Sequence, residues 1–345
     1  MTPSAIQEAF LYQSDACTSL GSPFMGRLMA LCGTMDWPAG SVTERIFAWQ
    51  GDISPRGQSV PLRLAGALHA LHLKEHAGLS TVYPPQVATD TALWDAVSAA
   101  LVSDAEHINT WLNSPPQTNE VRRSATLIAV GHLLAERCGL PIRTSELGAS
   151  GGLNLHWDAY ELRIGAQTFG ANDPVLRLSP EWRGSPPPTS KPSVVARGGV
   201  DLNPLDPRNP DLALKLQAYL WPDQPERLAL TRAAIGAAQT PVTQGDAIDW
   251  LENRLAHVPG QTHLIYSTVA WQYFPEDKKA KGTELIVHAG ASATDASPLA
   301  WFGMENDGGT HGAALTLRLW PGDLTLDLGR ADFHGRWVEW AAPAT

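Results

Sequence analysis

Residues 146 to 152 read Glu-Leu-Gly-Ala-Ser-Gly-Gly, which puts Glu146, Gly148, Ser150 and Gly152 at alternate positions. Glycines so placed let the backbone turn sharply and bring a ligand against bare peptide, where a Cβ would block it. The same stretch, Gly148-Ala149-Ser150-Gly151-Gly152, also spells G-x-S-x-G, the setting of a nucleophilic serine in α/β hydrolases. Three readings therefore compete: the floor of a cofactor site, a serine nucleophile, and a plain strand-to-helix turn. A nucleophile needs an acid and a histidine later in the chain, and Asp246 with His263, His288, His311 or His334 would supply them. Chain order opposes it, because such a serine normally follows a strand late in a sheet already built, and only helices precede this one. Neither a nicotinamide fingerprint, G-x-G-x-x-G, nor a phosphate loop ending in Gly-Lys-Ser/Thr is spelled here.

Other clusters carry weaker chemistry. His69, His72 and His76 share one helical face. With Glu75 the one acid nearby and no second cluster to complete a shell, they read as a solvated or interface face, and no metal is expected. Cys17, Cys32 and Cys138 are odd in number and widely spaced, so they read as buried thiols. Among the 13 tryptophans, Trp157, Trp250, Trp271 and Trp301 lie in or beside proposed loops. Trp271 and Tyr273 follow a strand directly and suit a wall around a planar or cationic substrate.

The elements that must position these residues follow from periodicity. Residues 1–117 read as a helical cap: Leu64, Leu68 and Leu71 share a face, and 91–112 repeats apolar residues at three and four. Breakers divide it at 37–40, 54–57, 83–85 and 114–116. From Thr118 onward strands and helices alternate, predicting an α/β domain over 118–345 with a mostly parallel, Rossmann-like sheet. Thr118 is placed to cap a helix carrying Val121, Leu127, Ile128, Val130, Leu133 and Leu134, which Gly139 and Pro141 end before a strand at 140–147. Asn119 either belongs to that cap or reaches the pocket. The tail alternates about Pro321-Gly322-Asp323 and predicts an antiparallel hairpin closing one edge. A proline-rich loop fills 179–193.

Composition narrows the partners. A net charge of −10 argues against a nucleic-acid groove, and no apolar run approaches the roughly 18 residues of a membrane span. The N-terminus lacks the basic start and apolar core of a signal peptide. A cytoplasmic protein acting on a small molecule is the expectation.

With these blocks in hand, the E-x-G-x-S-x-G turn resembles the first motif of class I S-adenosylmethionine-dependent methyltransferases, usually written with an acid and three glycines, Ser150 standing for the middle one. "QTNEVRR", "ELGASGGLNLHWDAY", "GVDLNPLDP", "YLWPDQPERLA", "GDAIDWL" and the closing hairpin together resemble, over about 20–340, a bacterial family of unknown function placed in that superfamily. The resemblance implies S-adenosylmethionine as cofactor and methyl transfer to a small acceptor. It implies that Glu146 accepts near the methionine or ribose part, and that the stretch from Gly148 through Ala149, Ser150 and Gly152 to Asn154 gives backbone N–H groups and room. Asp201 would take the ribose hydroxyls, with Leu202 beside it and Asn203 as fallback; alternatively "DLNPLDP" is only a turn. Asp246 would accept from the adenine amino group while Ala247 donates its N–H. Ser267 and Thr268 would line the space of transfer. A general base is optional, with Asp158, Tyr160 and Tyr273 as candidates and Trp271 beside them. Asp201 lies well beyond the usual spacing of about twenty residues from the glycine turn. A hairpin insertion over the cofactor edge, about 155–195, is inferred to fill the interval. A non-catalytic module that binds the same cofactor, and a Ser150 hydrolase, are the alternatives.

Overall fold

The computed structural model describes residues 4–54 and 57–343. Pro55 and Arg56, within the breaker at 54–57, lie outside the described residues. The chain divides into two compact units, residues 1–118 with 209–229, and residues 119–208 with 230–345.

The first unit is helical: α1 (Ala5–Ser19), α2 (Pro23–Thr34), α3 (Ser41–Phe47), α4 (Val60–Leu73), α5 (Asp90–Ser103) and α6 (Ala105–Leu112). Leu64, Leu68 and Leu71 of α4 all face its core, as their spacing predicts. A later helix joins them, α8 (Pro210–Ala218), although it lies within 118–345, the range expected to form the α/β domain; α9 (Pro225–Ala237) follows it. Gly66 permits the approach, since a Cβ there would lie 2.5 Å from the ring of Tyr219 just beyond α8. The three histidines do not form a solvated face. His69 is buried with Nδ1 on the Ala218 carbonyl, His72 stacks on Tyr83, and His76 meets Asp104 at 3.1 Å.

The second unit is α/β. Its nine-stranded sheet contains β1 (Ile142–Leu147), β5 (Glu181–Arg183), β6 (Val194–Asp201), β7 (Thr243–Gln244), β8 (Thr262–Thr268), β9 (Leu299–Glu305), β10 (Ala313–Trp320), β11 (Leu324–Ala331) and β12 (Trp337–Trp340). The order is β5-β12-β11-β10-β9-β8-β1-β6-β7. From β7 to β9 the neighbours run parallel, and from β9 to β12 antiparallel. The first parallel strand stands in the middle, the next two on one side and the following two on the other, the doubly wound order. Its reversal point falls between β1 and β8. Every residue of β8 is buried, as a central strand covered on both faces must be. Leu264 and Tyr266 face α7 (Ser124–Cys138), while Ile265 meets α10 (Ala247–Glu252) and α11 (Glu276–Ala291).

Several local expectations change. Thr118 does not cap α7; a 3-10 turn at Val121–Arg123, capped by Glu120, intervenes, and the helix begins at Ser124. Gly139 ends it at φ +65, as a left-handed C-terminal residue should. The glycine stretch leads into a 3-10 segment, Leu153–Ala159, kinked at His156, instead of a long helix. The insertion does hold a hairpin, β2 (Glu161–Ile164) with β3 (Gln167–Gly170), and β4 (Arg177–Leu178) lies parallel to β2. Leu162, Phe169, Leu176 and Leu178 bury their side chains in the core that α7 shares. Its last strand, β5, pairs with β12. The excursion thus packs on α7 and ends at the sheet edge opposite Asp201. The C-terminal hairpin, β10 with β11, is part of a four-strand meander from β9 to β12, and β5 is the edge strand.

Candidate active site at the reversal point of the sheet

The glycine turn leaves the carboxyl end of β1 through three left-handed residues, Gly148 at φ +77, Ser150 at φ +51 and Gly152 at φ +71. That region suits glycine and is uncommon for other residues. Ser150 therefore occupies a position whose backbone asks for glycine. A Cβ on Gly148 would stand 2.5 Å from the Ala270 Cβ, so the chain leaving β8 packs directly on it.

The backbone donors of this turn are mostly committed inside the protein. Gly148 and Ala149 donate to the Val200 carbonyl at 3.0 Å each, and Gly152 donates to Ala149 at 2.7 Å. Ser150 N–H donates to the Asp201 carboxylate at 2.8 Å, and Leu153 N–H to Asn119 Oδ1 at 2.9 Å. The N–H groups of Gly148, Ala149, Ser150 and Gly152 are thus paired within the protein. Asn119, buried, braces the turn rather than capping a helix.

Asp201 ends β6, and its other oxygen accepts from Asn203 N–H at 2.9 Å, the bond of an Asx-type turn. Leu202 beside it is 66% exposed, a large apolar side chain at the surface. Asn203 is exposed as well. Asp246 caps α10 by accepting from Ile248 and Asp249 N–H at 2.9 and 3.1 Å, and Lys278 Nζ stands 3.0 Å from its carboxylate. These hydrogen bonds and the lysine together hold its carboxyl below the ordinary value, against the opposing effect of burial. Ala247 follows as the first residue of α10, where a backbone N–H has no partner within the helix.

Below the turn lies a buried polar layer. Glu146 is 1% exposed and accepts from the Tyr266 hydroxyl at 3.3 Å; burial lifts its carboxyl to about 8, against the Tyr266 hydrogen bond. The same hydroxyl reaches the Asn154 carbonyl at 3.2 Å. The Asn154 side chain accepts from Ser124 Oγ at 2.7 Å and donates to the Glu120 carbonyl, so it is spent within the fold. Tyr160, fully buried, donates to the Leu153 carbonyl at 2.6 Å, and burial pushes its hydroxyl far up. Asp158 pairs with Arg197 at 2.7 Å, and burial raises its carboxyl despite that guanidinium.

The serine-hydrolase constellation does not assemble around Ser150. Its side chain is 4% exposed, and its Oγ has no hydrogen-bond partner among the described residues. His263, pushed down to about 3 by burial and by neighbouring arginines, instead bonds Ser145 Oγ at 2.8 Å.

At the end of β8, Ser267 and Thr268 are buried. Trp271 packs in edge and tilted contacts with Trp301 and Phe274, with a Gly282 Cβ position only 2.7 Å from its ring. Trp271 is half-buried, one side against these partners. Tyr273, 73% exposed, stands free at the surface.

Sequence reasoning missed three residues. Tyr266 joins Glu146 to Asn154. Arg123, within "QTNEVRR", bridges the Thr268 and Phe333 carbonyls at 2.9 Å each, a role no local pattern signals. Glu305 gathers the chain after β8, and its signal in the sequence is its place at the end of the apolar run 299–305 that forms β9.

No curated protein and no solved structure matches the chain. A family model described as an uncharacterized protein conserved in bacteria, DUF2332, matches residues 7–340, and the chain belongs to that bacterial family.

Proposed function

We propose that the α/β unit binds S-adenosylmethionine and transfers its methyl group to a small acceptor. The observation that carries the reading is the alternation of left-handed residues at 148, 150 and 152, at the reversal point of a doubly wound sheet and tied to an acid, Asp201, on the adjacent strand. Ligands of such sheets gather at that point. Asp201 serves the ribose, since a carboxylate has about four acceptor positions and so can hold the turn and accept from a hydroxyl as well. Leu202 offers an apolar face to the adenine, and the Ala247 N–H with the Asp246 carboxylate reads its edge.

The bound cofactor supplies a methyl group already activated on a sulfonium. What the chain must add is alignment and dryness. Ser267 and Thr268, buried at the end of β8, and Ala270, packed on Gly148, shape the space beside the methyl, and exposed Tyr273 meets the acceptor. Glu146, buried beneath the turn and accepting from Tyr266, lines the floor of the site on the methionine or ribose side.

The test is to incubate the protein with methyl-labelled S-adenosylmethionine and a bacterial small-molecule extract, and to follow label into products. Labelled product, absent with Asp201→Ala, supports the proposal. Binding without transfer supports the non-catalytic module, and covalent capture of Ser150 by a fluorophosphonate would support the hydrolase.

A further inference from the structure

Glu305 stands at the end of β9, partly buried, and three backbone donors converge on it. Its Oε1 accepts from the N–H groups of Ala270 at 3.2 Å and Trp271 at 3.1 Å, and its Oε2 accepts from Gln272 at 3.2 Å. The three successive backbone donors open a 3-10 turn, Trp271–Tyr273, which the chain enters directly after β8. Val269 precedes that turn at φ +56, a left-handed conformation that is a true outlier for a β-branched residue. Such strain persists where the surroundings over-determine it, and it gathers at ligand sites. Here the determinants are the Val269 N–H on the Met304 carbonyl at 2.8 Å and the Glu305 cluster itself. Gln272 returns the contact, accepting from Asn306 N–H at 2.7 Å. The outcome is a segment whose Ala270 is pressed onto Gly148 while Tyr273 points outward.

We infer that Glu305 is a positioning residue: it holds residues 269–273 in their strained path and thereby sets the wall on the acceptor side of the site. Its use there rests on the methyltransferase reading, but its hold on the segment does not. Glu305 acts through the backbone and touches no reactant, because its two oxygens are directed at the segment it restrains.

The test compares Glu305→Ala and Glu305→Gln with wild type, and adds Tyr273→Ala as a control in the same segment. Two quantities are read where all four proteins are fully folded: amide hydrogen exchange of a peptide covering 268–274, and affinity for S-adenosylhomocysteine. Expected are at least tenfold faster exchange in Glu305→Ala, with the β1 peptide unchanged, and at least tenfold weaker binding. Glu305→Gln should be intermediate in both, since one amide oxygen still accepts, and Tyr273→Ala should exchange as wild type does. Exchange at the wild-type rate in Glu305→Ala overturns the inference. So does a variant with a lower melting temperature but unchanged affinity and local exchange, which would make Glu305 merely a stabilising residue. Failure of the wild type to bind the probe would instead count against the methyltransferase reading, while the exchange measurement still judges Glu305.

Discussion

The carboxylate of Asp201 accepts from the backbone N–H of Ser150 at 2.8 Å, joining the end of one strand to the turn that leaves its neighbour. One side chain therefore has two tasks, to hold the glycine turn and to present an acceptor beside it. Hydrogen bonds to charged groups are worth roughly 1.5–3 kcal/mol. Asp201→Ala should lower unfolding stability by about that amount and weaken binding of S-adenosylhomocysteine at least tenfold, with Asp201→Asn less harmful on both counts. Asp206→Ala, which removes an exposed partner of Arg208, should leave both unchanged. Urea denaturation and calorimetry on the three variants check this.

Ser150 and Gly148 should respond in opposite directions. Ser150→Gly places in the left-handed region the residue suited to it and deletes a buried hydroxyl without a partner, so a gain of about 0.5–1 kcal/mol is expected. Gly148→Ala should cost more than about 1 kcal/mol, because its φ of +77 disfavours a side chain and the new Cβ meets Ala270. Shifts in the urea midpoint, at unchanged slope, decide both.

Glu146 gives a pH signature. Its carboxyl titrates at about 8 in the fold against an ordinary 4.5, so between these values the folded state binds more protons than the unfolded one. Its contribution to stability is full below pH 4.5, falls as pH rises through that window and levels off above 8. Glu146→Gln does not titrate. The stability difference, variant minus wild type, should grow in the variant's favour between pH 5 and 8, by up to about 1.4 kcal/mol for each tenfold change in proton affinity. A difference that is flat with pH would contradict the buried, protonated carboxyl.

The two aromatic residues after β8 should separate. Trp271→Ala opens a hole against Trp301 and Phe274 and should cost about 2–4 kcal/mol. Tyr273→Ala, at an exposed side chain, should leave the melting temperature unchanged and reduce turnover of the acceptor.

The sequence made some of this legible because certain signals are local. The glycines of 148–152, Gly139 after its helix, the alternation through 161–170 and Pro321-Gly322-Asp323 each dictate backbone shape over a few residues, and each is found where its chemistry demands. What stayed hidden depends on partners distant in the chain. The period of α8 says only that it has an apolar face, not that Gly66 makes room for Tyr219 in the helical unit. Asp246 reads equally as an adenine acceptor and as a helix cap, and the cap is a matter of two N–H groups close by. Glu305 is an ordinary acid in the sequence; its importance comes from three amides brought to it by a left-handed valine 36 residues earlier in the chain.

Calorimetric titration of the wild-type protein with S-adenosylhomocysteine tests the central claim most directly. The account predicts saturable one-site binding that Asp201→Ala weakens at least tenfold. A folded wild-type protein that gives no heat and no thermal shift at millimolar ligand would contradict it.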